Sequence, residues 1–142
     1  MKTSSMQFSN PVLTECTFNV NDNYKQNKEG NEAILETEIG IGNKDNDKRE
    51  CIVLLRLTIC ADKNNNNFPY FIKIAMLANF KWEEELDNKI DDLLKINAPA
   101  LLLGYMRPIV ATLTNNSPYD VYNIPFMNFT DTDKGIIVSD LK

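Results

Sequence analysis

The sequence predicts an oligomeric α+β protein: a four-stranded antiparallel sheet with a long crossover after its first strand, packed on C-terminal helices. Three observations carry this reading. Four apolar or alternating segments follow one another before residue 81, two of the three links between them are short and polar, and helical periodicity begins only after Trp82. Residues 1–142 make a single domain, with 1–10 and 131–142 loosely ordered.

The first strand is "VLTECTFNVN" (12–21), with Val12, Cys16, Phe18 and Val20 on one face. The second, "NEAILETEIGI" (31–41), alternates Ala33, Leu35, Ile39 and Ile41 against Glu32, Glu36 and Glu38. The third, "ECIVLLRLTICA" (50–61), is apolar on both faces apart from Arg56 and Thr58, which makes it central. The fourth, "FPYFIKIAMLANF" (68–80), sets Tyr70, Ile72, Ile74, Met76, Ala78 and Phe80 on one side. "NKDNDKR" (43–49) and "DKNNNN" (62–67) carry turn residues suited to hairpins, whereas "DNYKQNKEG" (22–30) is long enough to cross the sheet.

Helical periodicity opens with "EEELDNKIDDLLKI" (83–96), where Leu86, Ile90, Leu93 and Leu94 form one stripe. Asn97 then offers a fresh N-cap and Pro99 suits a first turn, so a second helix is predicted from about Ala98 to Thr114. Pro108 predicts a bend in it after Gly104. Arg107 is its only charge, and apolar residues occur all round. One sheet covers one side of such a helix, so its other side predicts an oligomer contact. The expected contact residues are Leu101, Leu102, Gly104, Tyr105, Met106, Ile109 and Leu113.

Charge and composition exclude several functions. The formal net charge is −5, with 15 Lys and Arg against 20 Asp and Glu, which gives nucleic acid and anionic membranes nothing to hold. There is no histidine, which removes His-based triads, histidine metal sites and the commonest general base. Cys16, Cys51 and Cys60 lack a CxxC spacing and sit in apolar runs, so they read as buried free thiols in a reducing, cytoplasmic setting. No apolar run approaches membrane-spanning length. "DTDKG" (131–135) lacks the α/β domain that a phosphoryl-transfer aspartate pair requires, and "DNDKRE" (45–50) lacks the glycine and spaced glutamate of a calcium loop. No metal, no cofactor and no catalytic residue is expected.

What remains is a surplus of rings. Phe18, Tyr24, Phe68, Tyr70, Tyr119, Tyr122 and Phe126 flank turns and extended segments, and as a group they predict a surface for extended apolar peptide.

Several motifs stand in a telling order: "RLT" (56–58) in the third strand, Pro99, Leu101, Leu102, Tyr105 and Arg107 in the apolar helix, and "N-x-P-x-x-N-F" over 123–129. With Thr17 and Phe18 in the first strand, the chain resembles the SecB family of protein-export chaperones over about residues 8–130. The resemblance implies a homotetramer, a dimer of dimers, that holds unfolded preproteins in hydrophobic grooves without ATP and delivers them to the SecA motor. It also implies that the apolar helix is the tetramer contact. Of the acids through which members dock SecA, Glu15 is kept, while Asn19 and Lys73 stand where others would be. The family's second helix, a lid on the groove, has no counterpart in "TDTDKGIIVSDLK". Chaperoning is therefore better supported than SecA delivery, and a dedicated client such as a toxin–antitoxin pair stays open. From other classes, a small α+β oligomeric enzyme would need Arg107 as its charged residue, and an adaptor would need none.

Overall fold

The computed structural model describes residues 1–26, 33–64, 66–130 and, as backbone, 136–140. Its strands are β1 (Met6–Phe8), β2 (Val12–Val20), β3 (Ala33–Asp45), β4 (Glu50–Ala61), β5 (Tyr70–Trp82) and β6 (Ile136–Asp140). The antiparallel sheet runs β2–β5–β4–β3, so the link from β2 to β3 passes from one edge of the sheet to the other. β4 is central, as its two apolar faces predict.

Each hairpin is closed by its own turn chemistry. The Asp45 carboxylate accepts the backbone N–H groups of Asp47 and Lys48, both at 3.0 Å, which explains "DNDK" as a turn. Asp62 does the same for Asn64 at 2.9 Å.

Two features at the β2 edge differ from the sequence reading. A bulge at Thr14 flips the alternation, so Val12 pairs with Leu77 on the outer face. Cys16, Phe18 and Val20 keep to the helix side opposite Ile74, Ile72 and Tyr70. Cys16 is exposed there; only Cys51 is fully buried. Burial pushes the Cys51 thiol above its ordinary range, and Cys60 likewise, so both stay protonated. The second feature is β1, which pairs Met6–Phe8 with Phe80–Trp82 inside the segment expected to be loosely ordered.

The helices differ more. Residues 83–96 do not form one amphipathic helix: Glu84–Leu86 is a single 3₁₀ turn, and α1 begins only at Ile90 (Ile90–Asp92). Asp87 interrupts the run because its carboxylate accepts from Arg49 (3.1 and 3.0 Å) and from the Trp82 indole (3.0 Å). Asn97 caps nothing. It is itself helical, at φ −77° and ψ −40°, inside a π-helical turn (Leu93–Asn97) that joins α1 to α2 (Ala98–Asn115). The wider turn gives room for the Pro99 ring, which in a regular helix crowds the carbonyl of Lys95. The fused helix, Ile90–Asn115, is 26 residues long and apolar enough on composition to cross a bilayer, contrary to the sequence reading. On its sheet side Ala98, Leu102, Met106 and Val110 are completely buried against the sheet. α2 continues through Pro108 to Asn115.

The core lies between α2 and the inner faces of β3, β4 and β5, built from residues such as Ile39, Leu55, Leu57, Ile72, Ile74 and Phe80.

The Asp87 cluster ties the β3–β4 turn to the end of β5. Its hydrogen bonds from Arg49 and then Trp82 hold the carboxyl below the ordinary carboxylate range. A depressed folded value means that this contribution to stability is complete above the unfolded value, near 4, and is lost as pH falls through the folded one. Asp87→Asn should therefore lower the melting temperature at pH 7 and match wild type toward about pH 2. Fluorescence of Trp82, the chain's single tryptophan, checks this.

Candidate functional site: a ring cluster at one end of the sheet

Six of the seven rings named from sequence form one connected cluster. Tyr70, at the start of β5, lies 5.6 Å from Phe18 of β2 and 5.6 Å from Phe68, ring centre to ring centre. Phe68 meets Tyr122 edge-on at 5.0 Å, and Tyr119 meets Tyr24 edge-on at 4.9 Å and Tyr70 at 6.5 Å. Phe126 stands apart, 90% exposed.

Burial divides these rings into two kinds. Phe68 and Tyr70 are 2% and 1% exposed, so they are core, and their assignment as peptide-contacting residues is corrected to a supporting floor. Phe18, Tyr24 and Tyr122 are half-buried, while Tyr119 and neighbouring Val121 are exposed. Burial pushes the Tyr122 phenol up, and in Tyr70 burial outweighs the lowering hydrogen bond to Ser117. Both rings stay uncharged at neutral pH.

Two chain segments are tied down around the floor. Asn21 donates its backbone N–H to Pro69 O (2.7 Å) and its side-chain amide to Phe68 O (3.0 Å), and Lys25 N–H reaches Asn66 O (2.9 Å). These bonds hold the start of the crossover, and with it Tyr24. The segment after α2 is held by the helix itself. The Thr114 hydroxyl accepts from Tyr122 N–H at 2.9 Å and donates to Val110 O at 2.9 Å. The Arg107 guanidinium donates twice to Ile124 O, at 2.9 and 2.7 Å. The Tyr70 hydroxyl adds contacts to Ser117 Oγ and Asp120 O, both 2.6 Å. Arg107, the charge an enzyme reading would need, is thus engaged in holding a backbone carbonyl. Sequence reasoning missed Thr114, Ser117 and Asn21. For Thr114 and Ser117 the signal was a run of capping and turn residues, "TNNSPYD" (114–120), at the end of the helix; Asn21 lies outside it, at the end of the first strand.

Beside the cluster, a cavity of about 290 Å³ opens against Tyr70, Phe71, Cys60 and Ala61, rimmed by Asn21 and Lys63.

The apolar helix sorts its expected interface residues into two sets. Leu102 and Met106 are completely buried under the sheet, so they belong to the core and not to a contact surface. Leu101, Ile109 and Leu113 are half-buried on the other side, and Gly104 and Tyr105 are exposed there. A methyl group added at Gly104 would meet nothing within 4 Å.

Glu15 lies on the sheet's outer face within a charge row. Its carboxylate is 3.4 Å from Arg56 and 3.6 Å from Lys73, and Arg56 also pairs with Glu38 at 2.9 Å. Among the described residues no cluster of His, Cys, Asp and Glu could hold a metal ion.

Residues 4–132 match the family described as preprotein translocase subunit SecB. An uncharacterized protein of Methanocaldococcus jannaschii, MJ0357, is 26% identical over 125 residues, spanning 87% of this chain and 79% of its own. Among solved structures, the Mycobacterium tuberculosis Rv1957 SecB-like chaperone, in complex with a ChAD peptide from the Rv1956 HigA1 antitoxin, superposes with a TM-score of 0.67. It is 13% identical, with 87% of this chain and 91% of that one covered, so the likeness is one of fold.

Because Thr114 is completely buried and serves the Tyr122 amide, Thr114→Val should leave that donor unsatisfied at nearly unchanged volume. A loss of about 1–3 kcal/mol is expected in denaturant titrations. Hydrogen exchange should quicken first over 117–124.

Proposed function

The chain belongs to the SecB family of chaperones, and from that premise we propose that it is an ATP-independent holdase for a dedicated client. The observation that carries the reading is the ring cluster: a buried aromatic floor edged by exposed and half-exposed rings on tied-down segments. Such a surface gives an extended apolar segment contact area with little loss of side-chain freedom. Phe18, Tyr24, Tyr119, Tyr122 and the outlying Phe126 contact the client, and Phe68 and Tyr70 support them. Rv1957, of the same fold, is bound to an antitoxin peptide, which favours a dedicated client over general preprotein export.

The acting unit is a homotetramer, a dimer of dimers, in the cytoplasm, with no cofactor. The free face of α2, with Leu101, Gly104, Tyr105, Ile109 and Leu113, supplies the contact. Delivery to SecA is disfavoured, because Lys73 and Arg56 already pair with Glu15, the acid kept at the docking position.

The deciding assay mixes the protein with a reduced, unfolded test protein without ATP. Suppressed aggregation is expected, and its absence removes the holdase reading in favour of an adaptor or enzyme. Tyr119→Ala with Phe126→Ala should weaken capture about tenfold, with melting near wild type. Phe68→Ala should instead cost about 3–5 kcal/mol of stability. By light scattering, Tyr105→Asp with Ile109→Asp should lower the oligomer mass, since a charge buried in that contact has no partner. A wild-type monomer would defeat the interface.

A further inference from the structure

Three short oxygen–oxygen contacts meet beneath the rim of the ring cluster. The Tyr70 hydroxyl lies 2.6 Å from Ser117 Oγ and 2.6 Å from Asp120 O, and Ser117 Oγ lies 2.7 Å from Thr114 O. Only two protons, one on each hydroxyl, serve these three contacts. Thr114 O already accepts the Ser117 backbone N–H at 3.1 Å, so it is the acceptor that can do without a second donor. Asp120 O has no donor but Tyr70 among the described residues. One arrangement satisfies every group. Tyr119 N–H donates to Ser117 Oγ (3.2 Å), Ser117 donates to Tyr70 Oη, and Tyr70 donates to Asp120 O. The bond from Ser117 acts to lower the Tyr70 phenol against the larger effect of burial, as a donor to that oxygen must. Each link polarises the next.

This chain starts and ends on the rim main chain and passes through one core side chain. Tyr70 is 1% exposed, with Phe18 and Phe68 against its ring. Tyr119 and Asp120 are exposed, and Pro118 has no N–H to donate. For residues 118–121, every main-chain hydrogen bond among the described residues involves Ser117 Oγ or Tyr70 Oη. What the turn positions is the Tyr119 ring, which meets Tyr24 edge-on at 4.9 Å and so joins the return segment to the crossover.

We propose that the Tyr70 hydroxyl, as distinct from its ring, is a positioning group for client capture. It acts through Tyr119, holding that ring against Tyr24 so that the two present one apolar surface to an extended client. This role rests on the holdase reading. Tyr70 itself touches no client. Phenylalanine in its place keeps the floor and frees the turn, so that Tyr119 has to be ordered when the client binds.

The test measures affinity for reduced, carboxymethylated α-lactalbumin in full-length wild type, Tyr70→Phe, Tyr119→Ala and the double variant, at a temperature where melting shows each to be folded. Tyr70→Phe should weaken capture about three- to tenfold, the range that one net hydrogen bond carries. In the Tyr119→Ala background the same change should weaken it less than about 1.5-fold, because the ring through which the hydroxyl acts is gone. A purely structural loss is equal in both backgrounds, and that result overturns the positioning role, as does wild-type affinity in Tyr70→Phe. If Tyr70→Phe does not fold, Ser117→Ala breaks the same chain from its half-buried side and is read against the same two outcomes. Without any client, the nuclear Overhauser contact between the Tyr24 and Tyr119 rings should be present in wild type and weaker in Tyr70→Phe; equal intensity overturns the role. A wild type that captures no unfolded protein defeats the holdase reading and the role in capture with it. A ring contact weakened in Tyr70→Phe with capture unchanged defeats the role alone.

Discussion

A sheet covers one side of a helix, and α2 is apolar on more than one. That geometric constraint organises the molecule. The sheet takes Leu102, Leu103, Met106 and Val110. The returning chain is fastened along the helix at Thr114 and Arg107. What is left is a strip with Gly104, Tyr105 and Pro108 exposed and Leu101 and Ile109 half-buried. A strip of that composition in water is unfavourable by the ordinary measure of about 25 cal/mol per Å², and it is this strip that the proposed oligomer contact would cover. Phe8 already leans on this side, edge-on to Tyr105 at 6.2 Å, so β1 shapes its margin.

The same helix positions the ring cluster, which joins the two proposed surfaces in one body. Thr114 and Arg107 hold the segment that carries Tyr119 and Tyr122, and Tyr70 holds it from the sheet side. The cluster is therefore not a set of loop side chains free to collapse. Its floor has the packing of a core, and its rim is fixed to the helix and the floor by side chains that bond its backbone. Pre-organisation of this kind lowers the ordering cost of binding, which matters most for a client that must itself be ordered on capture.

Much of this was legible in the sequence, for reasons that can be named. The two-faced apolarity of 50–61 marked the centre of the sheet, and the lengths of the three links gave the strand order. The rings were found because they flank turns, where core residues are uncommon. Other features were hidden. A single inserted residue at Thr14 reverses which face Val12 takes, and no local pattern announces a bulge. The run from 83 to 96 has helical spacing, yet Asp87 is bound by Arg49 and Trp82 from elsewhere in the chain, a tertiary contact overriding local preference. Leu102 and Met106 were assigned to the contact face because a helix apolar all round does not say which stripe meets the sheet. For the same reason the 26-residue helix is apolar enough by length and composition to cross a membrane.

The outer face of the sheet completes the argument about partners. Arg56 stands between Glu38 and Glu15, and Lys73 approaches Glu15 from the neighbouring strand. Beneath this row Ala75 is completely buried although it points away from the helix. Exposed pairs of this kind contribute at most about 1 kcal/mol each, so they are no barrier that a partner could not open. Their effect lies in the field they cancel. Within the row two acids face two bases, which weakens the row's own field, while Glu36 stands exposed on the same face. It is this balance within the row that the proposed reading sets against SecA docking.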